Sequence, residues 1–157
     1  MFSETDRSMI GHGALMLLVA MVAGLGLLVS VVGGIELWPG HILALDVPSD
    51  PAGWVRTHVG GILNALLVMV VALLLPRLEF DEARARRVAL FIVGTGWANT
   101  LFYWAAMWAP NRALTLGDNR LGAANWIGLI GLIPALVFVL VSMIAVAAIA
   151  RQAWRRR

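Results

Sequence analysis

The chain has neither cysteine nor lysine. Without cysteine there is no disulfide, no thiolate metal site and no cysteine nucleophile, and the redox state of the compartment leaves no mark on the sequence. Without lysine, all 12 basic residues are arginines. Charge of either sign is scarce. A soluble domain carries about a quarter charged residues, whereas this chain carries 13%. Apolar residues fill 61% of its 157 positions, and the mean hydropathy is +0.85. So little charge excludes an ordinary soluble enzyme and makes the lipid bilayer the natural solvent.

Long apolar runs take the place of charge. A helix needs about 20 mostly apolar residues to cross a bilayer, and four stretches supply them: 10–33, 57–75, 88–109 and 126–150. They predict an all-α fold, one membrane domain (1–157) built as a four-transmembrane-helix bundle. The first run is too long for the apolar core of a signal peptide, and the leader before it carries Glu4 and Asp6 beside a single Arg7, so it is expected to be a retained span.

The arginines orient the bundle. Arg7, Arg77, Arg84, Arg86, Arg87, Arg151, Arg155, Arg156 and Arg157 fall on one side, and only Arg56, Arg112 and Arg120 on the other. The positive-inside rule then places both termini and the 76–87 loop in the cytoplasm. The same sorting explains the high isoelectric point by topology, with no nucleic-acid partner.

Glycines in the first span permit close helix approach. The loop containing LWPGHILALDVPSDPAGW carries turn signals at Pro39, Gly40, Pro48 and Pro51, and is expected to be ordered but irregular. Span two is expected to end at Pro76 and span three at Pro110. Between them, RLEFDEARARR has room for one helical turn at the membrane surface.

Polar groups inside such spans are functional candidates, although amides and tyrosines also serve as interhelical glue at about 1 kcal/mol or less. On a helical wheel with His58 at 0°, Gly61 falls at about −60° and Asn64 at about −120°. A glycine-lined shelf beside an imidazole suits a flat group. In span three, Asn99 and Tyr103 lie opposite a stripe of Trp97, Trp104 and Trp108, a stripe that reads as packing or an interfacial girdle. Asn64, Tyr103 and Asn99 lie roughly 10, 9 and 15 Å below one membrane surface. That common depth favours a site over scattered glue.

Of the three histidines, His12 and His58 stand at opposite ends of their spans, about 30 Å apart, and cannot share one iron within a subunit. His12 and His41 read most plainly as helix-end or loop hydrogen-bonding groups. A single histidine facing a flat-group shelf leaves one metal position open, as Lewis-acid chemistry requires. Arg56, Arg112 and Arg120 suit carboxylates such as haem propionates, and equally suit helix caps or lipid phosphates.

The segments GHG (11–13), WPG (38–40), GWVRTHVGGILN (53–64), LPRLEF (75–80), GWANTLFY (96–103) and PNRALTLGDNRLG (110–122) resemble those of the styrene oxide isomerases. The resemblance implies a small bacterial inner-membrane enzyme that binds haem b, with ferric iron as the Lewis acid. It implies isomerisation of a small apolar aryl epoxide to an aryl acetaldehyde by ring opening and a 1,2-hydride shift (a Meinwald rearrangement), with no net redox change. It also implies a homotrimer in lipid with haem between subunits, His58 as axial ligand, and Asn64, Tyr103 and Asn99 on the substrate side. The alternative is a haem-binding cytochrome subunit passing electrons to a quinone.

Overall fold

The computed structural model describes residues 2–155; Arg156 and Arg157, counted above for orientation, lie outside them. Four helices dominate: α1 (Glu4–Val32), α2 (Pro51–Leu78), α3 (Glu82–Ala106) and α4 (Trp126–Trp154). Each is long and apolar enough to cross a membrane. Every helix begins on a side-chain cap that extends it beyond its apolar run. Ser3 and Asp6 form a capping box ahead of α1, and Asp50, Asp81 and Asn125 accept from Gly53, Arg84 and Gly128 backbone N–H groups at 2.7, 2.9 and 2.8 Å. These bonds satisfy N–H groups that a helix start otherwise leaves unpaired.

Three expectations change in detail. DEARARR is not an isolated turn, because the Asp81 cap makes its residues the start of α3. Pro76 does not end α2, which runs on to Leu78 and stops at Glu79 with φ 49°. A proline so close to the end removes a single bond, to the carbonyl four residues back. Span three ends at Ala106, before Pro110 is reached.

The loop after α1 is also more regular than expected. It forms an antiparallel hairpin of β1 (Gly34–Trp38) and β2 (His41–Ala44), so the otherwise helical fold has one small sheet. Pro39 and Gly40 close it. Gly40 takes φ +79°, the left-handed backbone required at the third position of a type II turn that carries proline at the second.

The helices pack largely in chain order. α1 lies on α2, α2 on α3 and α3 on α4, with smaller α1–α3 and α2–α4 contacts, while α1 and α4 do not touch. The bundle is therefore open along one side. Only 17% of the α1 span and 11% of the α4 span are buried within the chain. The main core, with Met16, Val68 and Ile92 fully buried, is formed by α1, α2 and α3 with Ala145 of α4, towards the end where α1 begins and α4 ends. Ala23, Trp54 and Met107 form a smaller cluster towards the hairpin end.

Candidate functional site

α2 supplies two working faces, set by the helical period. Trp54, His58, Gly61 and Ala65 recur at steps of four, three and four and face α1. Thr57, Gly60 and Asn64 recur at steps of three and four and face α3.

On the α1 side, His58 is half-buried and its Nδ1 stands 2.8 Å from the Ala20 carbonyl oxygen. A carbonyl only accepts, so Nδ1 carries the proton and donates it, and Nε2 keeps its lone pair. Nε2 makes no hydrogen bond among the described residues. The shelf expected at Gly61 is already taken, because a Cβ there would stand 2.8 Å from the Cβ of Ala20. Gly61 thus serves close α1–α2 packing within its own chain. The exposed neighbours of His58 are Val55 and Val59, on the open side of α2.

On the α3 side Asn99 stands level with Asn64, and Tyr103, expected at that depth, lies about one turn nearer the hairpin end beside Gly60. Asn99 Nδ2 donates to Asn64 Oδ1 at 3.4 Å. The Tyr103 ring lies against the bare backbone of Gly60, where a Cβ would clash with Cε2. Thr57 Oγ1 donates to the Gly53 carbonyl at 2.9 Å and reaches the Tyr103 carbonyl at 3.3 Å. Asn64 is 7% exposed, and its Nδ2 is buried without a hydrogen-bond partner. The half-buried Tyr103 makes no hydrogen bond through its hydroxyl among the described residues. Two donors therefore stand uncommitted between α2 and α3. His58 and Asn64 point to different neighbours, and among the described residues no hydrogen bond joins them.

A model of the styrene oxide isomerase family matches residues 5–154. The chain belongs to the styrene oxide isomerase family. The styrene-oxide isomerase of Pseudomonas fluorescens is 40% identical over 153 residues, covering 98% of this chain and 90% of that protein. The protein is accordingly an isomerase, and the electron-transfer alternative loses its ground.

The remaining candidates of the isomerase sort by their contacts. Trp97 Nε1 can only donate, and it does so to His12 Nδ1 at 3.1 Å; His12 therefore carries its proton on Nε2, the opposite tautomer to His58. His41 stacks on Trp38 in the hairpin, with ring centroids 4.4 Å apart. The tryptophan stripe divides: Trp97 bonds His12, Trp104 meets Trp54 edge-on at 5.9 Å, and Trp108 is exposed.

Arg112 is not free, because its guanidinium pairs with Asp50 at 2.7 Å and ties the α3–α4 connection to the cap of α2. Arg56 and Arg120 form no ion pair among the described residues, which leaves them better suited to an incoming carboxylate. The Arg112–Asp50 pair is partly exposed, so Arg112→Met is expected to cost less than about 1 kcal/mol of stability. Thermal unfolding in detergent measures this.

Sequence reasoning missed Ala20, Gly24, Thr57 and Gly60. Gly60 and Thr57 were within reach, since both share the wheel sector of Asn64. Ala20 and Gly24 were not, because a uniformly apolar α1 carries nothing that fixes its register against α2.

Proposed function

We propose that this membrane isomerase converts an aryl epoxide of the styrene oxide type to the aryl acetaldehyde, using haem b held by His58. His58 carries the proposal: its Nδ1–H is committed to the Ala20 carbonyl, leaving Nε2 in the tautomer that a metal ligand requires. The fit has a second support in Asn64, whose buried Nδ2 lacks an acceptor. A buried donor left unsatisfied costs about 1–3 kcal/mol, a cost that functional sites commonly carry. Arg56 and Arg120 are the residues suited to propionates. When bound, ferric haem supplies a Lewis acid for the epoxide oxygen and undergoes no net redox change.

The rest of the work falls to this chain. Opening the benzylic C–O bond places negative charge on oxygen and positive charge on carbon, which the aryl ring delocalises. A 1,2-hydride shift then gives the aldehyde, with every atom of the epoxide retained. Asn64 Nδ2 and the Tyr103 hydroxyl are donors suited to orient the epoxide and stabilise its developing oxygen charge. Asn99 makes a long contact to the Asn64 Oδ1, which leaves Nδ2 as the uncommitted end of that amide. Exclusion of water matters equally, since water would trap the cation as a diol. Apolar helix faces in lipid keep the cleft dry and concentrate an apolar substrate.

We further propose a homotrimer in a bacterial inner membrane, with both termini cytoplasmic and haem between subunits. The open side of the bundle and the separation of His58 from Asn64 onto different faces of α2 support this assembly. One face then holds haem while another lines a substrate cleft.

Absorption spectra of the detergent-purified protein, taken before and after adding styrene oxide, test the function. A Soret band that shifts on addition, with phenylacetaldehyde forming in the same cuvette, is the expected result. A colourless protein that still forms aldehyde overturns the haem assignment. Tyr103→Phe is expected to retain haem and slow turnover by about 10-fold or more, the effect of losing one positioned donor. Unaltered kinetics would remove the phenol from the chemistry.

A further inference from the structure

We infer that Gly24 is a positioning residue that uncovers the Ala20 carbonyl and so sets the ring plane and basicity of His58. The inference rests on the proposed role of His58 as haem ligand and extends it to α1.

In an α-helix the carbonyl of residue 20 accepts from the N–H of residue 24. The second lone pair of that oxygen is reached past the side chain at 24. Here that side chain is absent. A Cβ at position 24 would stand 2.7 Å from His58 Cε1 and 2.8 Å from Nδ1, closer than carbon and nitrogen can approach. Even alanine would therefore push the imidazole off the 2.8 Å bond to Ala20. Gly61 closes the same corner from α2, since Ala20 fills its missing side chain and brings the two helices near enough for the bond to form.

The consequence for the ligand follows from acid–base chemistry. An Nδ1–H that donates to a carbonyl gives the ring partial imidazolate character and makes Nε2 a stronger donor to metal. A stronger donor favours the ferric over the ferrous state, which matters for an enzyme whose iron is to remain ferric through turnover. His12 shows the contrast within the same chain: its Nδ1 accepts from Trp97, so its ring gains no such basicity.

Serine at position 24 adds a competitor. Thr57, Thr95 and Thr100 each donate a hydroxyl to the carbonyl four residues back, at 2.9, 2.7 and 2.8 Å, and a serine at 24 would do the same to Ala20. Gly24→Ala and Gly24→Ser are both expected to retain haem, with the ferrous iron–histidine stretch lowered and the ferric/ferrous midpoint potential raised, more so in serine. An unmoved stretch and potential in both haem-bearing variants would overturn the inference.

Should these variants fail to fold, His58→Gly provides an independent measurement. Its cavity keeps the Ala20 carbonyl and bare Gly24, and it is expected to take up added haem when imidazole is supplied with it, giving a Soret band. 1-Methylimidazole, which has no N–H to donate, is expected to bind at least tenfold more weakly. Equal rescue by both would overturn the role of the carbonyl. A wild-type protein that holds no haem would instead overturn the proposed function, and this inference with it.

Discussion

His58→Ala is expected to abolish haem retention and turnover together. The only protein ligand proposed for the iron is the His58 Nε2, the ring nitrogen left with its lone pair by the bond from Nδ1 to Ala20. His12 cannot take over without breaking its bond from Trp97, and His41 is held in a stack with Trp38 at the exposed hairpin. No reserve ligand stands ready, so the loss should exceed that of any other single substitution. The substitution should spare the fold. His58 is only half-buried, whereas α1 and α2 are also held together through the fully buried Met16, Ala65 and Val68. The measurement is Soret absorbance per milligram of detergent-purified protein, with aldehyde formation assayed alongside and far-ultraviolet circular dichroism confirming the helices. Full turnover in a helical, haem-free His58→Ala protein would sink the proposal.

Much of this arrangement could be seen in the residues alone. The four spans follow from apolar run lengths, and the meeting of Asn64 with Asn99 follows because α2 and α3 are antiparallel neighbours across a short connection. In such a pair, depth along one helix fixes depth along the other. Helix ends were harder. A run of charges such as DEARARR resembles a surface loop until Asp81 is recognised as a cap whose bond to the Arg84 N–H commits the residues after it to helix. The hairpin carried its own signals, a Pro-Gly pair between Ile35 and Ile42, but Pro48 and Pro51 further along the same loop are equally signals of irregular structure. Gly61 illustrates a deeper limit. A helical wheel gives the direction of a residue, not the identity of what lies there, and the space read as a shelf is occupied by Ala20. The register of an apolar helix such as α1 is set by many small contacts that leave no mark in its composition.

Asn64→Leu is expected to separate function from stability. The two side chains branch alike at Cγ and carry the same number of heavy atoms, so the change leaves no cavity, and the bulkier methyls have to be taken up by the α2–α3 contact. In the native protein Asn64 is 7% exposed and its Nδ2 has no acceptor. Leucine removes that unsatisfied donor, which costs about 1–3 kcal/mol. It also removes the contact to Asn99, which at 3.4 Å is too long to offset much of that gain. The unfolding temperature should therefore hold or rise. Turnover should fall by about 10²-fold, the usual effect of losing one donor aimed at developing oxygen charge. The haem spectrum should be retained, since Asn64 faces α3 while His58 faces α1. Thermal unfolding, Soret absorbance and initial rates on one preparation distinguish the outcomes. A variant that loses stability yet keeps its turnover would make Asn64 a hydrogen-bonded strut between helices, and the oxygen-stabilising donor would then have to be sought at Tyr103.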